Sequence, residues 1–403
     1  MEVERSVLGR SWRLRDCDAA HALAISQQHG VPELVGRVLA GRGIGPAEAA
    51  AFLSPRLKDW LPDPSHLHDL DRAAERVALA ITGGERIGVI GDYDVDGATS
   101  TALLARYLRA LGVPVEILIP DRMQDGYGPN ARLLDELARR GCGLVVTLDT
   151  GTTAFEPLAH AAAIGLEVIV IDHHAAEARL PPALAVVNPN RLDQTSPLRH
   201  LAAVGVTFMV LVGVTRTLRA QGAFAARPEP PLLSWLDLVG LGTVCDVVPL
   251  TGLNRAFVHQ GLKVARAAGL PGMAALATAA GLTAITDARQ FGFALGPRIN
   301  AGGRIGCSDL GARLLTTDSA AEAADLAAQL HALNGERQTV ERGLIDAAQH
   351  AVDPQLARDL PVLMAAGNGW RRCRRDREGL SALDPRLRSR CGGNRRPPAG
   401  PAA

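Results

Sequence analysis

The chain has 403 residues, 47% of them hydrophobic, and a formal net charge of +1. That length allows two or three domains, and that apolar content excludes general disorder. No run of about 18 apolar residues is free of charges or helix breakers, so no membrane span is expected, and the mixed-charge start Met1-Glu2-Val3-Glu4-Arg5 lacks the apolar stretch of a secretory signal.

The first informative stretch in chain order begins at Arg86. Residues 87–90 read as a short buried strand, and residues 98–111 read as a helix. Between them stands Gly91-Asp92-Tyr93-Asp94-Val95-Asp96-Gly97. In extended backbone, residues i, i+2 and i+4 point the same way, so Asp92, Asp94 and Asp96 are expected to crowd three carboxylates onto one side of a strand end. Carboxylates that close raise one another's pKa unless a cation sits among them.

Further apolar runs follow at 115–119, 144–148 and 168–171, with helical patterns at 101–111, 131–140 and 153–164 between the strands. This alternation is the βαβ signature of a parallel sheet. Acidic or histidine motifs follow each run: Asp121 and Asp125-Gly126-Tyr127-Gly128 after the second, Asp149-Thr150-Gly151 after the third, Asp172-His173-His174 after the fourth. The C-terminal ends of parallel strands share one edge, where ligands of open α/β sheets bind.

Downstream the pattern turns helical, at 201–218 and 232–241, and Asp246 follows another apolar stretch. Residues 296–304, Gly-Pro-Arg-Ile-Asn-Ala-Gly-Gly-Arg, read as a glycine-rich loop. A long helix is expected from 319 to about 351, ended by Asp353-Pro354, and a new strand at 360–365. From Trp370 on, ten arginines face only Asp376, Glu378 and Asp384, a surplus of about seven, so the rest of the chain is acidic by about six. An acidic body weighs against a broad nonspecific nucleic-acid surface but allows a local basic groove. Two lysines against 41 arginines is the usage of GC-rich coding DNA. Such DNA read out of frame yields Arg, Pro, Gly and Ala, so 370–403 is read, as a hypothesis, as an aberrant frameshift tail. Sequencing the gene around codon 370 and finding no domain-like continuation in another frame would refute it. Six cysteines without a Cys-x-x-Cys pair read as free thiols of a cytoplasmic protein, with Cys245 and Cys307 expected to be buried.

Taken singly, each motif has a plainer reading. The aspartate triplet could be a solvated loop, Asp149 a helix cap, Asp246 a cap or ion-pair partner, and Arg304 a surface residue. Taken together, Asp92, Asp94, Asp96, Asp149, His173 and Asp246 form a mixed carboxylate and imidazole ligand set. Carboxylates suit Mg²⁺, and histidine shifts the preference toward Mn²⁺. So many ligands exceed one open metal, which makes two ions bridged by one aspartate the economical expectation. Asp149, His173 and His174 are the catalytic candidates, with His174 expected on a substrate phosphate rather than on metal. Arg298, Asn300 and Arg304 are expected to clamp phosphate oxygens.

In this order, these motifs resemble the DHH phosphoesterase family, named for the run that stands here at Asp172 to His174, and within it the RecJ-type single-strand-specific exonucleases. The resemblance is carried by 91–100, 125–128, 147–151, 242–250 and 296–304, with weaker likeness at 39–43 and 52–55, and runs from about Trp12 to Trp370. It implies an α/β fold: an N-terminal extension (1–74), a parallel-sheet catalytic domain with helices on both faces and the metal site (75–318), a connecting helix (319–352) and the start of a DHH-associated domain (353–369), before the tail at 370–403. It also implies two Mn²⁺ ions, with Mg²⁺ as alternative, and 5′→3′ release of 5′-mononucleotides from single-stranded DNA in repair and recombination. A helicase and a single-strand-binding protein come as partners only through this resemblance. It further assigns metal ligation to Asp94, Asp96, Asp149, His173 and Asp246, with Asp92 in support. Since the resemblance stops near Trp370, much of the substrate clamp is expected to be missing, with weak metal binding, low processivity and a tendency to aggregate. A phosphodiesterase for oligonucleotides or cyclic dinucleotides, or an inactive DNA-binding remnant, remain the alternatives.

Overall fold

The computed structural model describes residues 2–356 apart from Glu4, Arg5, Leu8, Leu14, Met123, Ala226 and Ala268. Two units divide the chain, Met1–His331 and Ala332–Ala403; the expected strand at 360–365 and the tail lie outside the described residues.

A five-stranded sheet organises the first unit. Its strands are β1 (Ile87–Gly91), β2 (Val115–Leu118), β3 (Leu144–Leu148), β4 (Glu167–Ile171) and β5 (Ala185–Val187). All pair in parallel in the spatial order β2-β1-β3-β4-β5. In register, Ile87 faces both Val115 and Leu144, and Leu144 faces Glu167. The inner strands are rich in Val, Ile and Leu because both faces are covered. On one face Ile90, Val145, Val168, Val170 and Val186 pack with Leu133, Leu134, Leu137 and Leu158 of the helices Ala131–Arg139 and Phe155–Ala163. The alternate residues Val89, Val146, Ile169 and Val187 are equally buried. Their side holds the helices Leu70–Gly83, Val95–Ala110 and Ala203–Ala220, which pack on one another and on the sheet.

Ala203–Ala220 is long and apolar enough to cross a membrane by length and composition, but it carries Arg216 and Arg219, in keeping with the expectation that no long apolar run is free of charge, and 72% of it is buried inside the protein. The helices Ala19–His29, Glu33–Ala40 and Pro46–Leu53 share a small core of Ile25, Leu39 and Ala49. They are tied to the body by Arg255, whose guanidinium donates to the Phe52 carbonyl and lies 3.8 Å over its ring.

Several expectations need correction. Residues 296–304 are not a loop: Gly296–Ile305 is helical and continues directly from the π-helical turn Gln290–Leu295, with Pro297 at the junction. Residues 232–241 split into a 3-10 turn, Leu232–Trp235, and the helix Leu236–Cys245. The long helix runs Ala320–Leu356, past Asp353-Pro354. The short β5 was not anticipated. Cys307 is exposed and Cys245 half-buried, so neither is a core thiol.

Candidate metal centre

The three inner strands and two helices deliver the acidic cluster. At the end of β1 the Asp92 amide still donates to Leu148 of β3, and its carboxylate accepts from the Tyr93 amide at 2.8 Å. The chain then turns into Val95–Ala110, so Asp92, Asp94 and Asp96 do not lie along an extended strand as the i, i+2, i+4 spacing suggested. Asp94 is the N-cap, accepting from the Gly97 amide at 3.0 Å. Gly97 is required here: a Cβ would stand 2.4 Å from the Asp92 carbonyl oxygen. Asp96, in the first helical turn, reaches the N-terminus of Ala203–Ala220, accepting from the Ala203 and Val204 amides at 2.6 and 2.9 Å.

Asp149 ends β3, with its amide donating to Ile171 of β4 and a left-handed φ of 61°. The run Asp172-His173-His174 leaves β4. Asp246 is the C-cap of Leu236–Cys245. That helix comes close because Gly242 has no side chain; a Cβ would lie 2.4 Å from Thr99 Oγ1 and 3.1 Å from Asp96 Oδ1.

These residues converge. His173 Nε2 lies 3.3 Å from Asp149 Oδ1 and 3.8 Å from Asp96 Oδ2, and His173 Nδ1 lies 3.6 Å from Asp246 Oδ2. Three overlapping groups place one ligand atom per residue within 4.8 Å of one another: Asp92 with Asp94 and Asp149, Asp96 with His173 and Asp246, and Asp149 with His173 and His174. Asp149 and His173 each belong to two groups. Asp149 Oδ1, His173 Nε2 and Asp246 Oδ2 are buried without a hydrogen-bond partner. Buried polar atoms of a native fold are normally satisfied. Orphaned oxygen and imidazole donors facing one another are the donor set of a hard or borderline divalent ion.

The electrostatics agree. Burial, reinforced by neighbouring carboxylates, pushes Asp92, Asp96 and Asp149 well above the usual carboxylate range. Burial and the Asp94 charge push Asp246 up to about 7. Burial, then His174, pushes His173 down to about 4. His174 is pushed up to about 9, chiefly by the hydrogen bond from its Nδ1 to Asp172 Oδ1 at 2.8 Å. Burial opposes ionisation of Asp172, yet that bond and His174's charge hold its carboxyl well below the usual range. Without cations the cluster stores protons and repulsion; positive charge placed among the carboxylates removes both.

All six expected metal ligands, and His174, are thus brought together. The expected phosphate contacts are not grouped in the same way. The Arg298 guanidinium donates to the Ala294 carbonyl at 2.6 Å and to His331 Nδ1 at 3.1 Å. Asn300 Oδ1 accepts from the Val95 amide at 3.1 Å, bracing the aspartate turn. Arg304 lies on the same helix.

Sequence reasoning assigned nothing to Asp172, Asn188 or Asn190. Asp172 also accepts from the His173, His174 and Thr152 amides. Asn188 Nδ2 donates to the His174 carbonyl and to Thr152 Oγ1, and Asn190 Nδ2 donates to the His173 carbonyl. Asp172 stood at the head of the histidine run, and Val186-Val187-Asn188 repeats the pattern of a polar residue after an apolar run.

Residues 86–243 match the family described as "DHH family, N-terminal domain". The chain is 41% identical over 340 residues to the single-stranded-DNA-specific exonuclease RecJ of Salmonella typhimurium strain LT2, an alignment covering 83% of this chain and 58% of that protein. It spans about half the length of the curated RecJ relatives it matches, from 44% to 58%. A crystal structure of exonuclease RecJ bound to manganese is 39% identical, with TM-score 0.64, covering 72% of this chain and 71% of that one. RecJ of Thermus thermophilus in complex with Mn²⁺ is 35% identical, with TM-score 0.70, over 84% of this chain and 47% of that one. RecJ of the same organism with Mg²⁺ is 34% identical, with TM-score 0.63, over 84% of this chain and 44% of that one.

Proposed function

The chain belongs to the DHH family, in its RecJ-type branch, and from that premise we propose that it hydrolyses the phosphodiester bonds of single-stranded DNA as a divalent-metal-dependent 5′→3′ exonuclease of DNA repair and recombination, releasing 5′-mononucleotides. The observation that carries this reading is the set of buried, unpartnered ligand atoms on Asp149, His173 and Asp246. Asp92, Asp94 and Asp149 would hold one ion, and Asp96, His173 and Asp246 a second, with Asp149 reaching both. Mn²⁺ suits the imidazole in the set, and Mg²⁺ is the alternative. Such ions supply an activated water and neutralise charge on the attacking and leaving oxygens of an in-line displacement.

The chain's own residues do the rest. Asp172 fixes His174 through Nδ1, leaving Nε2 to donate to a phosphate oxygen. The sheet edge fixes Asp92, Asp149 and His173 from neighbouring strands, so the reacting groups are placed before substrate arrives. Asn300 holds the aspartate turn through its oxygen, and its amide nitrogen remains to contact phosphate. Arg298 and Arg304 supply positive charge from the same helix, Arg298 by exchanging its bonds to Ala294 and His331.

The test is nucleotide release from 5′-labelled single-stranded DNA with Mn²⁺, Mg²⁺ or chelator, beside Asp149→Ala. Metal-dependent release of mononucleotides, abolished by the substitution, is expected. Cleavage of dinucleotides but not of long single strands would replace this reading with the small-substrate one.

A further inference from the structure

Resting on the metal-site reading above, we propose that Tyr127 is a positioning residue that holds the bridging ligand Asp149 in its metal-binding conformation through the Asp149 backbone. Asp149 is one of three non-glycine residues with a left-handed φ among the described residues. An L residue adopts that conformation at a cost and keeps it only where its surroundings enforce it. Both backbone groups of Asp149 are held. Its amide donates to Ile171 of β4 at 2.9 Å, and its carbonyl accepts from the Tyr127 hydroxyl at 2.9 Å. The first bond extends the sheet. The second comes from outside the sheet, across 22 residues, and sets the rotation of the Asp149 peptide and hence the direction of the carboxylate.

Tyr127 is itself anchored for this. Its loop is closed by Asp125, whose carboxylate accepts from the Asp121 amide at 2.8 Å and from Arg132 Nε at 2.9 Å. The adjoining Asp121 carboxylate accepts from the Gln124 amide. The Tyr127 ring stands edge-on to His174, with centroids 6.1 Å apart, so the phenol bridges a proposed metal ligand and a proposed phosphate contact. Tyr127→Phe keeps the ring and removes only the hydroxyl, with its bonds to the Asp149 carbonyl and Thr150, so the variant should fold.

The experiment is Mn²⁺ titration of the full chain and of Tyr127→Phe, followed by the electron paramagnetic resonance signal of free Mn²⁺, with melting temperature in chelator measured alongside. Groups that orient metal ligands change metal affinity by roughly 10- to 100-fold when removed. The expected result is Mn²⁺ affinity weakened by about 10-fold or more while the melting temperature in chelator stays within about 2 °C. Equal Mn²⁺ affinity for parent and variant overturns the inference and leaves the metal site standing, as does a fall in melting temperature with unchanged affinity. Failure of the parent to bind Mn²⁺ removes the metal-site reading and this inference with it.

Discussion

At the residue scale, Asp149 carries the most. It is 2% exposed, strained in φ, surrounded by Asp92, Asp94, Asp96 and Asp172 charges, and placed in two of the three ligand groups. Asp149→Asn removes one of several mutually repelling carboxylates, and asparagine tolerates the left-handed conformation. The variant should therefore melt at the same or a higher temperature than the parent in chelator. It should also lose most of the stabilisation that Mn²⁺ confers on the parent, which is about 2.7 kcal/mol when free ion is 100-fold above its dissociation constant. Thermal melts of both proteins with and without Mn²⁺ check this; a full Mn²⁺ shift in the variant would count against a bridging role. His174→Ala separates phosphate contact from ligation: Mn²⁺ stabilisation should persist while the hydrolysis rate drops by roughly 10²–10⁴-fold. Loss of the Mn²⁺ shift in this variant would make His174 a ligand instead. Acidic and histidine residues directly after short apolar runs were legible because few other reasons put a charge there. The roles of Asp172, Asn188, Asn190 and Tyr127 were not, because their work consists of hydrogen bonds that only the folded loops bring about.

At the element scale, the first four strands of the parallel sheet were legible as short runs rich in Val, Ile and Leu, and the helices between them as helical stretches. The misreadings share a cause. Glycine and proline in 296–304 signal a loop locally, yet in tertiary context the segment continues as a helix from the π-helical turn and Gly303 lets it close on Tyr93, where a Cβ would stand 3.0 Å from the Tyr93 carbonyl. β5 has only three residues, too few for a period to show. The triplet spacing predicted an extended run because period 2 was assumed beyond the strand's last residue, whereas Asp94 caps a helix that begins at once. The close crossing that brings Asp246 to the site depends on Gly242. Gly242→Ala should displace Thr99, Val204 or the helix itself, costing about 1–3 kcal/mol and weakening Mn²⁺ binding as Asp246 moves away. Denaturant unfolding and Mn²⁺ titration measure the two effects; an unchanged metal affinity would show that Asp246 is not held by this crossing.

At the scale of the whole molecule, the cluster makes stability depend on pH with a definite sign. Asp246 titrates at about 7 when folded against an ordinary 3.8. Its contribution is present below pH ~4 and is lost as pH rises through about 7. Asp92, Asp96 and Asp149 shift in the same direction. His174, raised from 6.5 to about 9, adds stability below its ordinary value that is lost as pH rises through 9. His173 opposes them: lowered to about 4, it favours the folded state above 6.5 and ceases to do so as pH falls through 4. Four carboxyls and one histidine outweigh the other histidine. The protein in chelator should thus melt at a lower temperature at about pH 8.5 than at about pH 5.5, and saturating Mn²⁺ should shrink or reverse that difference by replacing the protons. Identical melts in chelator at both pH values would mean that the carboxylates are not buried together.

The measurement that bears most directly on the central claim is equilibrium dialysis of the full chain against Mn²⁺, counting ions bound at saturation. Two ions per chain should appear in the parent, both competing with protons for one carboxylate cluster. At most one should appear in Asp149→Asn, since on the proposed arrangement that aspartate would reach both ions. No saturable binding, or the same count in parent and variant, would contradict the account of a two-ion centre bridged by Asp149.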